Sequence, residues 1–285
     1  MSVRVGRWEI TSLVESFFAL DGGAMFGAVP RPVWERHARP DAQNRIRLAS
    51  RCLVARERGA KRVVLVGAGL GDRRDAAWVE RHALDRTGAG LDAGLARLGL
   101  SRDDVTDVLL SHLHLLHAGG VVRRGAGGAL EPAFPRATFH LQRRAWAHAH
   151  APTEKDARSF STEDLELLQH SNRLHLVEGE AQLFPDVEII VAEGHTPGQH
   201  LPRFRGDGTH VTFCGGVIPT HHHLRPDWLS AHDLFPVTAL EEKKVLVAEA
   251  LEDGAVLAFE HDADMAGCRL GEEEGRPVFR EAVEL

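Results

Sequence analysis

At 285 residues, with 43% hydrophobic and 26% charged side chains, the chain is long enough to bury a large core and too apolar to be disordered. Its formal charge of −7 and scattered basic residues exclude the basic face that a nucleic-acid partner requires, and no apolar run approaches the length of a membrane span. Cys52, Cys214 and Cys268 are odd in number and far apart, which points to reduced thiols and a cytoplasmic protein rather than a disulfide framework.

The first residues, MSVRVGRWEITSLVES, alternate polar and apolar and read as a strand, not a signal peptide. Residues 15–50 form the one long irregular stretch. Glycine turns, an exposed look at Met25 and Phe26, and one short helix near 33–37 mark it as a lid or binding segment. CLVARER and KRVVLVGAG are strands, and Asp72 is a candidate cap for the helical DAAWVERHAL that follows. LDAGLARLGL is a second helix. TDVLLSH and ATFHLQ are strands, RRAWAHAHA and STEDLELLQHS helices, and RLHLVEG, VEIIVAEG and THVTFCGG strands again. The helix ALEEKKVLVAEALED precedes a last strand, AVLAFEH. Strands come mostly in neighbouring pairs with helices between them. That order predicts an α+β fold, a four-layer αββα sandwich formed by residues 1–285 as one domain.

Five of the 18 histidines lie where an apolar strand gives way to a loop. His112, His114 and His117 follow TDVLLS in the run SHLHLLHAGG; His195 follows VEIIVAEG and His261 follows AVLAFE. Strand ends along one sheet edge present side chains to a shared cleft. Neutral imidazole is the commonest metal ligand, and i, i+2 spacing on an extended segment turns both rings to one side.

Taken together, LDGGAMFG, VVLVGAGLGD, SHLHLLHAGG, EGHTPG, FCGGVIPT and FEHD resemble the metallo-β-lactamase-fold hydrolases, in their lactonase-like branch, over nearly the whole chain. The resemblance implies the αββα fold. It also implies a loop pattern H-x-H-x-D-H, followed by a lone histidine, a bridging aspartate and a final histidine. On that pattern His112, His114 and His195 hold one metal, and His117 and His261 match the histidines of a second site. Three acids of the pattern are absent. Leu116 stands at the loop aspartate, Gly216 at the bridging aspartate, and Gly67 at the acid of the V-D-T-G turn.

Two dications about 4 Å apart cost tens of kcal/mol in a poorly screened site, and neutral His117 and His261 offset none of it. The expectation is a mononuclear three-histidine site holding one zinc, with iron as the other metal such a site suits, and with His117 or His261 as general base. The activity implied is hydrolysis of a lactone, ester or thioester. Two other functions fit the same residues: a metal-free, non-catalytic small-molecule-binding protein of this fold, and a mononuclear iron oxygenase. Met25, Phe26, His221 in THHHLRPDW and His232 in LSAHDLFP are candidate substrate-pocket residues. Cys214 reads as a small buried hydrophobe and Asp262 as the anchor of the last loop. The expected partner is a small-molecule substrate or ligand, not nucleic acid or membrane, and a homodimer stays open.

Overall fold

The computed structural model describes residues 1–274 and 276–285. Two seven-stranded sheets carry the architecture. In spatial order the first contains Val3–Val5, Trp8–Asp21, Arg45–Glu57, Val63–Val66, Asp107–Leu109, Thr138–Gln142 and Leu174–Val177. The second contains Ala181–Phe184, Val187–Ala192, Gln199–Gly206, Thr209–Phe213, Val256–Ala258, Gly267–Glu273 and Arg276–Val283.

Strand Val63–Val66 shows why the sheets stack. Its four residues are all apolar and all buried, as a strand covered on both faces requires. Val64 and Val66 point between the sheets, where they join Ile10 and Leu53 of their own sheet and Phe204, Val211 and Phe213 of the other. Val63 and Leu65 point outward to Leu91 and Leu95 of helix Leu91–Arg97, in a cluster that also takes in Ala145 and Leu165 from helices Arg143–His150 and Thr162–His170. The outer face of the second sheet is covered by helix Pro236–Glu252, whose buried stripe is Ala239, Lys243, Leu246, Val247 and Ala250. Helix, sheet, sheet, helix is the predicted αββα sandwich.

The stretch 15–50 divides differently from the sequence reading. Trp8–Asp21 and Arg45–Glu57 form one long antiparallel hairpin, paired from Trp8↔Glu57 to Asp21↔Arg45 with a bulge between Val14 and Ser16. Only residues 22–44 leave the sheet, and they hold two short helices, Gly22–Phe26 and Arg31–Trp34. Met25 and Phe26 are 3% and 0% exposed, not exposed as their glycine-rich surroundings suggested. Phe26 stacks on Trp34 and on His223 and meets Trp228 edge-on, so this segment is a packed cap with its own small core. A second difference lies at the helix Ala76–Arg81: its cap is Asp75, which accepts from Trp78 N, and not Asp72. A third is the strand Gln199–Gly206, which Pro202 and two arginines disguise in the sequence; it pairs with neighbours on both sides. All three cysteines are buried and free. Among the described residues no helix is long and apolar enough to cross a membrane.

At one end of the sandwich, backbone hydrogen bonds run from sheet to sheet. Ala49 N donates to His261 O and Arg51 N to Glu260 O, each at 3.0 Å, and His200 N donates to Ser111 O at 2.9 Å. The loops that carry the histidines start there.

Candidate metal centre

His112 and His114 follow the short parallel strand Asp107–Leu109, and His114 is the N-terminal cap of the one-turn helix Leu115–Ala118. His195 lies in the loop after Val187–Ala192, and His261 lies three residues past Val256–Ala258. The fold brings the ligand nitrogens of His112, His114 and His195 within 4.8 Å of one another. Their rings meet edge-to-face, with centroids 4.6 to 5.2 Å apart.

Two of the three rings have an oxygen partner behind them. His195 Nδ1 donates to Asp233 Oδ1 at 2.9 Å, which leaves its Nε2 with a lone pair. His112 Nδ1 lies 2.7 Å from Ser111 Oγ. Asp156 Oδ2 stands 3.9 Å from His114 Nε2, a buried nitrogen with no hydrogen-bond partner among the described residues. Burial pushes His112 well below its ordinary range, helped by the neighbouring imidazoles, and pushes His114 down to about 4. Both rings are therefore neutral near pH 7, the form that binds a metal. Three convergent imidazoles, with carboxylate and hydroxyl groups behind them, fit a divalent ion.

The second set of histidines does not form a matching cage. His117 stacks on His112 with centroids 4.9 Å apart, and both of its nitrogens are taken. Nε2 accepts from Ser111 N at 2.9 Å, and Nδ1 donates to Glu260 Oε1 at 2.5 Å. The ligand atoms of His112, His117 and Glu260 also lie within 4.8 Å of one another. A tetrahedral zinc, however, holds its nitrogen and oxygen ligands about 3.3 Å apart, so the 2.5 Å His117–Glu260 contact has the geometry of a proton-bearing hydrogen bond. Buried and committed at both ends, His117 does not reach the cavity as a general base. His261 does: its Nδ1 donates to Ala49 O at 2.9 Å, which turns a lone pair on Nε2 inward. Behind His117 and His261 lies a buried acid that the loop pattern did not indicate. Burial would raise the pKa of Glu260, yet His117 and His261 beside it hold it down to about 2.

The missing acids have physical counterparts. A Cβ added at Gly216 would lie 2.4 Å from the His195 ring, so that ring fills the space where the bridging carboxylate would start. A Cβ at Gly67, where φ is +76°, would lie 3.0 Å from His117 Cε1. Leu116 is on the wall of a cavity of about 220 Å³, with Leu20, Met25, Trp78, Pro219 and the histidines 112, 114, 195, 232 and 261. Lys155, Asp156 and Arg158 are its charged members.

Of the candidate pocket residues, Met25 and His232 line this cavity. Phe26 supports it from the core of the cap. His221 does not reach it: Asp262 Oδ2 binds its Nδ1 at 2.5 Å and its backbone N at 2.8 Å, and His221 lines a separate surface cavity. The other oxygen of Asp262 accepts from Asp264 N and Met265 N and anchors the last loop. Cys214 is fully buried with Sγ toward Thr212 O and stays outside the cluster. Asp233, Asp156 and Glu260 were not singled out in the sequence. Asp233 and Glu260 each adjoin a flagged histidine, whereas nothing around Asp156 marks it.

Comparison with known proteins agrees with this geometry. Residues 46–123 match the family model of the metallo-beta-lactamase superfamily. An N-acyl homoserine lactonase of Bacillus thuringiensis is 30% identical over 106 residues, which are 36% of this chain and 34% of that protein. The match thus spans about a third of the relative's length. Among solved structures, a probable metal-dependent hydrolase from Staphylococcus aureus superposes with a TM-score of 0.87 at 24% identity, covering 99% of this chain and 100% of that one. AidC, a dizinc quorum-quenching lactonase in complex with its product, superposes with a TM-score of 0.79 at 17% identity, covering 100% and 98%. The chain thus has the metallo-β-lactamase fold, and its residues 46–123 match the model of that superfamily.

Proposed function

We propose that the chain is a mononuclear metal-dependent hydrolase acting on a lactone, ester or thioester with an apolar acyl group. The observation that carries this reading is the convergence of His112, His114 and His195 on one part-apolar cavity. When bound in such a three-nitrogen site, zinc lowers the pKa of a coordinated water to about 7 and polarises a carbonyl.

The chain's own residues supply the rest. Asp233 orients His195, and Ser111 orients His112. His261 Nε2 accepts a proton at the cavity wall. Leu20, Met25, Trp78 and Leu116 exclude water around an acyl chain, and Lys155 and Arg158 place positive charge beside it for a carbonyl or carboxylate oxygen. The similar lactonases make N-acyl homoserine lactones the first substrates to test.

Zinc titration of chelator-treated protein, followed by lactone hydrolysis read as proton release, tests the proposal. One equivalent should bind at micromolar concentration or tighter, and His112→Ala or His195→Ala should abolish both binding and turnover. Absence of zinc binding in the micromolar range refutes the reading, and so does zinc binding without hydrolysis of any lactone, ester or thioester in a broad panel.

A further inference from the structure

The carboxylate of Glu260 stands out among the buried groups. It is 1% exposed and lies at the end of the strand segment that also delivers His261. One oxygen is taken by His117 Nδ1, and the other, Oε2, has no hydrogen-bond partner among the described residues. A buried carboxylate oxygen without a donor costs free energy that a bound cation removes. Oε2 faces His261 Nε2 at 3.9 Å. That nitrogen is itself an acceptor, because the Nδ1 proton is committed to the Ala49 carbonyl. Two buried acceptors facing each other at that distance leave a place for positive charge.

We infer that Glu260 supplies negative charge to the metal centre, from the end of strand Val256–Ala258, in place of the acids that positions 67, 116 and 216 lack. The inference rests on the metal-dependent reading above and adds a residue to it. Asp233 backs His195 and Asp156 lies near His114, but the partner behind His112 is the uncharged Ser111 hydroxyl. Glu260 adds charge on that side, held behind the His117 ring that stacks on His112. The bond from His117 Nδ1 fixes the carboxylate, and Ser111 N fixes His117 in turn.

The test compares zinc affinity, by competition with a chromogenic chelator, between the wild-type protein and Glu260→Gln. Glutamine keeps an oxygen acceptor for His117 Nδ1 and removes the charge. The expected result is affinity weaker by about 10- to 100-fold, with the metal-free melting temperature recorded alongside to show that the fold is kept. Leu116→Asp introduced into Glu260→Gln should recover most of the loss, because it returns a charge from the other side of the cleft. Equal affinity in wild type and Glu260→Gln, or no recovery in the double variant, overturns the role of Glu260 and leaves the hydrolase reading standing. Wild-type protein that binds no zinc overturns both. If Glu260→Gln does not fold, the isosteric pair Glu260→Asp and Glu260→Asn makes the same comparison. Aspartate binding about tenfold tighter than asparagine supports the inference, and equal binding overturns it.

Discussion

Gly216 is the residue at which family pattern and structure part most clearly. A pattern-based repair would write aspartate there to rebuild a two-metal site. The His195 ring already occupies that space, 2.4 Å from any added Cβ, and Asp233 holds the ring in place. Gly216→Asp should therefore weaken zinc binding by at least about tenfold, through displacement of a ligand, and cost about 1–3 kcal/mol of metal-free stability through overpacking. Zinc titration and chemical denaturation check this; a stable variant binding two equivalents would contradict it. Asp233→Asn should also loosen zinc by about 10- to 100-fold, since the amide no longer secures the His195 tautomer. Strand-end position alone also marked His117 and His261, so at this scale the three convergent imidazoles were legible through the family resemblance. Their partners were not. Asp233 lies 38 residues from His195, and Glu260 was passed over in favour of Asp262, since adjacency to His261 in sequence does not show which acid turns inward.

Among the elements, the segment 22–44 shows how packing overrides a loop-like sequence. A long stretch rich in glycine resembles a lid, yet Phe26, Trp34, Met25 and Trp228 form a closed cluster against Phe18, Ile46 and Leu48 of the hairpin. Gly22 is required there for contact: a Cβ would lie 2.3 Å from the Trp34 ring. Phe26→Ala should cost about 3–5 kcal/mol of global stability, as for a core phenylalanine, and should widen the cavity where Met25 lines it. Denaturant unfolding measures this, and a loss below about 1 kcal/mol would mean that the segment opens without cost to the fold. The regular elements were read well where hydrophobic periodicity is strong, as in Val63–Val66 and Pro236–Glu252. Gln199–Gly206 was missed because its strand identity comes from pairing with two neighbours, not from its composition.

On the scale of the whole molecule, the density of buried imidazoles sets the response to acid. Burial pushes His222 down to about 4, and His200 and His223 to about 3, from an ordinary value of 6.5. The unfolded chain takes up these protons near pH 6.5, and the native state refuses them until pH falls to about 4 or 3. Stability is thus full above about pH 6.5 and falls on acidification, by up to tenfold in the folding constant per pH unit for each such histidine. Asp262, held at about 2 by His221 against the opposing effect of burial, adds a loss of the same sign as pH falls through the carboxylate range. Melting temperature of metal-free protein between pH 7 and pH 4 should fall steeply; a flat profile would contradict this account.

The amino-acid pattern by itself determined the layered sandwich and marked five histidines at strand ends, through alternation along strands and the turns that close them. The resemblance to the metallo-β-lactamase-fold hydrolases divided those five into a set of three and a set of two. Tertiary structure alone decided the fate of the remaining groups. It turned His117 away from the cleft, filled the space beside Gly216 with the His195 ring, and brought Glu260 in beside His117 from 143 residues away. Contacts of that kind depend on which loops the folded sheets bring together, and spacing along the chain carries no record of them.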